Sequence, residues 1–321
     1  MPSRDQPAPD GSAATPVLVT GAAGFVGRHL VAHLESCGDT VHAVDRRDGP
    51  DLLDGEGWAR LLDRIRPRVV YHLAAATSVA DSWDDPVATV RANVEGTLHV
   101  AGAALAAGVE RFVFVSSSDV YGIVEPAALP LAEDAALGPV TPYAASKAAA
   151  EQIVLQLWRG RGLGAVIARA FNHTGPGQDP RFVASALAAR VADNELRARR
   201  VVPVGDLSAR RDFTDVRDVV GAYRLLATAG VPGEVYNVCS GRDVSVRELA
   251  ELLLADAELP MELQADEALL RPVEIPVLRG SYERLHARTG WRPVIPIERT
   301  VADLLADARR RAGAGPVDQQ S

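Results

Sequence analysis

From residue 16 onward the chain alternates short apolar runs with longer amphipathic stretches. The runs Val17–Thr20, Val41–Asp45, Val69–Leu73, Phe112–Val115 and Ala165–Ala170 are rich in Val, Ile or Phe and almost continuously apolar. That pattern predicts strands covered on both faces. Between them, Phe25–Cys37, Gly57–Ile65, Pro86–Ala107 and Pro142–Arg161 carry helical spacing. Strand-helix alternation at this interval predicts an α/β fold built on a doubly wound parallel sheet. The helix at Pro142 has a clear start, with Thr141 as cap and proline at the first helical position. Past residue 170 the rhythm changes. Asn172–Pro180 reads as a turn-rich loop, followed by a helix near Phe182–Asp193 and a strand at Val201–Val204. A helix at Val216–Ala229 and a strand at Glu234–Val238 predict a return to the sheet. Then come a helix at Val246–Ala255, an irregular Leu270–Gly280 segment and a last helix near Ile297–Arg311. The expected organisation is a disordered tail over 1–15, a first lobe over 16–170 with a return segment at about 212–240, and a smaller interleaved lobe over 171–211 and 241–315.

Composition narrows the class. Across 321 residues, 47% hydrophobic and 24% charged content is ordinary globular usage and excludes disorder or a fibrous repeat as the main state. Net charge is −8, from 34 Lys+Arg against 42 Asp+Glu, which argues against nucleic acid or an anionic membrane as partner. Two cysteines are too few for a disulfide framework or a cysteine metal cluster, and no histidine pattern supplies a metal site. No run approaches the roughly 18 apolar residues of a membrane span, and the N-terminus lacks the apolar core of a secretory signal. A cytoplasmic enzyme is the expectation.

The chemistry begins at Thr20-Gly21-Ala-Ala-Gly24-Phe25-Val26-Gly27, between the first strand and the first helix. Gly21 suits a tight turn, Gly24 lets the backbone approach a pyrophosphate, and Gly27 allows close helix–strand packing. Phosphate would meet the free amides and positive dipole end of that helix. Together with the alternation this makes the sheet Rossmann-type, although the spacing is G-x-x-G-x-x-G. Asp45 lies 18 residues after Gly27, where an acid accepts hydrogen bonds from a ribose diol. Arg46 and Arg47 follow directly, either as solvated charges or as hosts for a 2′-phosphate. The cofactor is therefore NAD(H) by the acid, with NADP(H) open.

Tyr143-Ala-Ala-Ser-Lys147 sets a phenol and an amine one helical turn apart. A free tyrosine, with a pKa of about 10, is a poor acid-base at neutral pH, and a neighbouring ammonium is expected to lower that value. Ser117, in the serine run after the fourth strand, lies where a hydroxyl could bind the same substrate oxygen.

In their order along the chain, TGAAGFVG, His72–Ala75, the Asn93 helix, the serine run and YAASK resemble the extended short-chain dehydrogenase/reductase family. The resemblance implies a catalytic triad of Ser117, Tyr143 and Lys147, with Lys147 also on the nicotinamide ribose. It implies cofactor contacts from Gly21, Gly24, Phe25, Val26, Gly27, Asp45, Arg46, Asp51, Leu52, Leu73, Ala74, Ala75 and Asn93. The segments Arg169–Gln178, Arg211–Asp218, Val235–Gly241 and Leu270–Pro276 are similar to the GDP-sugar branch, and within it to GDP-4-keto-6-deoxy-D-mannose reductases, which form GDP-D-rhamnose. Substrate contacts implied on that basis are Ser118, Asp119, Asn172, Arg181, Val204, Arg211, Arg271 and Glu274, in a sugar-nucleotide-binding second lobe. Guanidinium forks at Arg211 and Arg271 suit a diphosphate, and Glu274 a ribose diol. The resemblance also implies a homodimer joined through the long helices of the first lobe.

Asp119 leaves a GDP-mannose 4,6-dehydratase or a 4-epimerase open as an alternative, because dehydration needs an extra acid-base near the sugar; its other reading is loop capping. A non-catalytic dinucleotide-binding regulator predicts a damaged triad, whereas all three residues are present. His173 reads as loop-fixing rather than as an acid-base. Trp83 and Trp291 read as core, Cys37 and Cys239 as small buried hydrophobes, and His29 and His33 as structural.

Overall fold

The computed structural model describes residues 15–269 and 275–314. The expected tail over 1–15 therefore lies, but for residue 15, outside the described residues. The first half of the chain carries β1 (Pro16–Thr20), α1 (Phe25–Ser36), β2 (Thr40–Val44), α2 (Gly55–Ile65), β3 (Val69–His72), α3 (Val79–Asp84), α4 (Pro86–Val90), α5 (Gly96–Ala106), β4 (Arg111–Ser117) and α6 (Pro142–Arg161). There follow β5 (Ala165–Ala170), β6 (Asn172–Thr174), α7 (Val183–Leu196), β7 (Val201–Val204), β8 (Arg210–Asp215), α8 (Val216–Ala229) and β9 (Val235–Val238). The chain closes with β10 (Asp243–Ser245), α9 (Val246–Ala255), β11 (Glu262–Ala265), β12 (Val277–Leu278), α10 (Glu283–Thr289) and α11 (Ile297–Gly313).

Six strands form one parallel sheet in the order β2-β1-β3-β4-β5-β9. The apolar runs of the inner strands follow from burial on both faces, and every residue of β5 is buried, whereas edge strand β2, expected to be covered on both faces, buries only Val44 fully. One face packs on α1 and α8 through Leu30, Leu34, Val219, Tyr223 and Leu226. The other packs on α2, α5 and α6 through Trp58, Leu62, Val100, Val154 and Leu157. α6 starts where Thr141 accepts the Ala144 N–H and Pro142 fills the first position; it ends at Gly162, whose φ of 77° is left-handed. The single helix expected over Pro86–Ala107 is interrupted by a π turn at Arg91–Glu95. The extra residue in such a turn re-aims side chains, and Asn93 is buried there.

The remaining strands are short and polar. β8 pairs with β6, β10 and β12, and β7 pairs with β11. They pack with α7, α9 and α11 around Leu187, Val191, Leu249, Leu253 and Leu304. Three expectations are corrected here. Residues 172–174, read as loop, form β6 because Asn172 and His173 ladder with β8. Trp83 is 51% exposed rather than core, since short α3 presents it to solvent, and Cys37 is exposed at the end of α1. Trp291 and Cys239 are buried. No helix among the described residues is long and apolar enough to cross a membrane.

Candidate active site

Parallel strands bring their C-terminal ends to one edge, and the connections from β1 reverse there, with β2 on one side and β3 on the other. Such a reversal opens a crevice for ligands. At the end of β1, Gly21 has φ +71°, and a Cβ there would sit 2.9 Å from the Ala74 amide nitrogen. At Gly27 a Cβ would lie 2.2 Å from the Gly21 carbonyl oxygen. Gly24 opens α1 with extended backbone and no side-chain cap, so the first amides of α1, at Phe25 and Val26, take no bond from the residue before them. Asp45, one residue past β2, accepts from the Ala23 amide at 3.2 Å and the Arg46 amide at 2.8 Å. Ala23, Gly24, Arg28, Asp45, Arg46 and Arg47 line a cleft of about 450 Å³. A cradle that any side chain at Gly21 or Gly27 would close, beside an uncapped helix start and an acid, fits a nicotinamide dinucleotide. Arg28, which the sequence reading passed over, is anchored to the Ala23 carbonyl and donates to the Gly177 carbonyl at 3.2 Å.

Buried hydrogen bonds set the neighbouring strand end. Thr20 Oγ1 accepts the Ala74 N–H at 3.1 Å and meets His72 Nδ1 at 2.8 Å, while His72 Nε2 meets Thr97 Oγ1 at 3.1 Å. Burial, with the Lys147 charge adding to it, pulls His72 down to about 3, so the imidazole is neutral. This fixes Leu73–Ala75 against Gly21. Asn93, expected on the cofactor, instead commits its buried amide to the chain. Its Oδ1 accepts the Ala76 N–H at 2.7 Å, and its Nδ2 donates to the Ala76 carbonyl at 3.0 Å and to Ser146 Oγ at 2.8 Å. It therefore ties the β3 end to α6. Asp51 and Leu52 precede α2; the Asp51 carboxylate accepts the Leu53 N–H at 2.9 Å, and the Leu52 carbonyl meets His99 Nδ1 at 3.2 Å.

Ser117 ends β4, and its Oγ accepts the Asp119 N–H at 3.2 Å. Tyr143 lies in the first turn of α6. Burial pushes its phenol well above the usual range and the Asp119 charge adds to this, while a hydrogen bond with Ser117 opposes it. Lys147 is 4% exposed, donates to the Val115 carbonyl at 2.5 Å, and sits 4.5 Å from the centre of the Phe114 ring. Burial pulls its amine down to about 8, against the opposing charge of Glu151. Here the expectation from spacing is corrected. The helix does put phenol and amine on one face, but the groups that set the phenol are Asp119 and Ser117 on top of burial, and the ammonium points at Val115. The arrangement keeps Tyr143 protonated, which suits a proton donor. A signal missed in the sequence bears on the same residue: Lys147 is the only lysine in the chain, against 33 arginines. A compact ammonium, unlike a planar guanidinium, stands at this buried position.

Ser118, in the turn after β4, is buried, and the Asp119 charge acts on Tyr143. Asn172 opens β6, half-buried. Arg211 lies on β8 and donates to the Arg210 carbonyl at 2.9 Å. Arg181 is exposed, paired with Asp179 at 3.2 Å and Asp81 at 3.9 Å. Val204, expected to contact substrate, is 2% exposed within the second-lobe core, so its side chain serves packing. Arg271 and Glu274 lie outside the described residues. His173 Nδ1 donates to the Phe171 carbonyl at 2.8 Å, and its ring runs parallel to Phe25 with centres 6.2 Å apart. His29 Nε2 donates to the Pro176 carbonyl at 2.8 Å. The 172–178 segment is thus fastened to the helix that follows the glycine turn, as the loop-fixing reading of His173 expects.

Residues 17–239 match the model of the NAD dependent epimerase/dehydratase family. The chain belongs to that family. Among the relatives of this epimerase/dehydratase chain, the GDP-6-deoxy-D-mannose reductase of Pseudomonas aeruginosa is 41% identical over 298 residues, covering 92% of this chain and 97% of that protein. Two solved members of the family superpose closely. RMD from Pseudomonas aeruginosa complexed with NADPH has TM-score 0.86 and 39% identity, over 92% of this chain and all of that one. The UDP-glucose 4-epimerase of Thermus thermophilus in complex with NAD has TM-score 0.83 and 32% identity, over 94% of this chain and 99% of that one.

Proposed function

We infer that the chain is an NAD(P)H-dependent reductase that converts the C4 ketone of GDP-4-keto-6-deoxy-D-mannose to the alcohol of GDP-D-rhamnose. The observation that supports this reading is Ser117 at the end of β4 with Tyr143 and Lys147 in the first turns of α6, in a parallel sheet whose first strand ends in the glycine turn and in a chain 41% identical to a GDP-6-deoxy-D-mannose reductase. Gly21, Gly24 and Gly27 would hold the dinucleotide, with Asp45, Arg28 and Arg46 at its adenosine end. Hydride for C4 comes from the reduced nicotinamide when the cofactor is bound. Tyr143 donates the matching proton to the C4 oxygen, so ketone, hydride and proton sum to the alcohol. Ser117 hydrogen-bonds that oxygen as its charge develops. The Lys147 ammonium, one helical turn along α6 and bonded to the Val115 carbonyl, does not set the resting phenol and would act only as a counter-charge once Tyr143 has given up its proton. Asn172 and Arg211 would meet the sugar nucleotide from the second lobe.

Tyr143→Phe is expected to cut turnover by about a thousandfold, within the range for loss of a general acid, while dinucleotide affinity stays unchanged. Unaltered turnover would refute the assignment. Stoichiometry separates the related reactions: a reductase consumes one reduced cofactor per sugar, whereas dehydratases and epimerases restore theirs.

The same reading includes a homodimer. Val87, Val90 and Leu98 are 68%, 44% and 42% exposed along α4 and α5, beside exposed Ala145 and Ala149 on α6. An apolar stripe next to a small-residue helix face suits a two-fold helix interface. Val90→Glu should shift the sedimentation coefficient to that of a monomer if this stripe is the contact.

A further inference from the structure

One turn beyond Lys147 on the same face of α6 stands Glu151, with no exposed surface. Arg169 reaches it from β5 through Nε at 3.0 Å and Nη2 at 2.7 Å, a side-by-side pair of bonds to the two carboxylate oxygens. The third guanidinium nitrogen donates to the Tyr121 hydroxyl and the Glu133 carbonyl, each at 3.0 Å. Tyr121 in turn donates to Asn237 Oδ1 at 2.7 Å, and it closes the turn that contains Ser118 and Asp119. A buried ion pair is a weak stabiliser beside apolar residues of equal volume. Its neighbours on α6, Val154 and Leu155, are apolar and buried. The pair therefore calls for a reason other than packing.

We propose that Glu151 and Arg169 are positioning residues for the reaction: the buried carboxylate, clamped by Arg169 one helical turn from Lys147, favours the ammonium that meets the Val115 carbonyl. This rests on the reductase reading, in which the ammonium is needed when Tyr143 gives up its proton. The groups that act on Lys147 are Glu151 on its own helix, the Val115 carbonyl and Phe114 ring on β4, and neutral His72 on β3, with Arg169 on β5 behind Glu151. Burial favours the neutral amine, and Glu151 is the charge that opposes it. Arg169 fixes the direction of that carboxylate and tempers its field. Without the pair, Lys147 would lose its proton near working pH and the phenolate would lose its counter-charge.

The sole lysine makes a direct test available. Protein grown on ¹³C,¹⁵N-lysine gives one set of lysine side-chain signals, and their pH titration reads Lys147 in the intact chain without turnover. Glu151→Gln is expected to lower the midpoint by about one pH unit, and Arg169→Gln to raise it, because the carboxylate field is then untempered. The alkaline limb of kcat/KM should move in the same two directions, and Glu151→Asp, which keeps the charge, should recover most of the wild-type position. A purely structural pair would lower activity in both variants without opposite displacements, and that result overturns the proposal. Should either single variant fail to fold, the double Glu151→Gln/Arg169→Gln decides: a lowered midpoint supports the proposal and an unmoved one refutes it. Failure of the reductase reading would show separately, as no cofactor consumption by the wild type at any pH.

Discussion

The six-stranded sheet and the small sheets around β8 are held together by different physics. In the first, Val, Ile, Leu and Phe side chains fill both faces, and burial of apolar area supplies the driving force. In the second, strand residues are often charged, and carboxylates spaced three apart fasten the chain. Asp212 accepts from Ser240 N at 2.7 Å, Ser240 Oγ at 2.6 Å, Gly241 N at 2.9 Å and Gly280 N at 3.2 Å. Asp215 bonds Thr300 Oγ1 and Arg217, each at 2.7 Å. Asp218 accepts the Val294 and Ile295 amides at 3.0 and 2.9 Å. The first region is specified by periodic hydrophobicity. The second is specified by a few polar atoms, each aimed at particular backbone or side-chain groups.

The strongest way to break this contrast acts on the first region. In Gly27→Val, the new side chain would meet the Gly21 carbonyl and Ala22 backbone, at 2.2 and 2.7 Å from its Cβ. Backbone cannot yield as a side-chain tip can, so a loss of about 3 kcal/mol or more is expected, with dinucleotide binding abolished. Urea unfolding and fluorescence titration with NADPH read both. A smaller effect is expected from Asp212→Asn, whose amide nitrogen would face donors in place of an acceptor. Losing two of its bonds should cost about 2 kcal/mol. The KM for sugar nucleotide should rise while dinucleotide affinity holds. If dinucleotide affinity falls equally, the two regions are not separately specified.

The same contrast explains what the sequence disclosed. Strands β1, β3, β4, β5 and β9 were legible because burial leaves mostly apolar runs, edge strand β2 because Val41, Ala43 and Val44 continue the alternation of strand and helix, and α6 because Thr141 and Pro142 mark its start. β8 was not, since Arg210-Arg-Asp-Phe-Thr-Asp215 has no apolar alternation and pairs through its backbone. The π turn left no trace because Asn93 reads as an ordinary polar helix position until packing brings Ala76 and Ser146 to its amide. Tyr143 and Lys147 were legible as a spacing, but their electrostatics were not, since these depend on Val115, Asp119 and Glu151 brought in by packing. Glu151 escaped notice, and Arg169 was read only as the start of the Arg169–Gln178 segment, for the same reason: a charge at a helical position reads as a solvated face until a strand behind it supplies the counter-ion.

Lys147 is the one lysine of the first region set against its apolar logic, and the mildest test concerns the cost of keeping it there. Its amine is held at about 8 in the folded chain, below the ordinary 10.5. Between those values the unfolded chain carries the extra proton, so stability rises with pH across that window; below about 8 the full penalty stands. Lys147→Met removes the penalty but also the Val115 hydrogen bond and the Phe114 ring contact. A shift of this size corresponds to about 3 kcal/mol at most, and those losses should leave a net gain of about 1 kcal/mol at pH 7. The inactive variant should therefore melt above the wild type at neutral pH, and the gap should close as pH rises toward 10.5. A variant that melts lower at both pH values would mean that the buried ammonium stabilises the fold, and that the first region, like the second, draws on placed polar atoms for its strength.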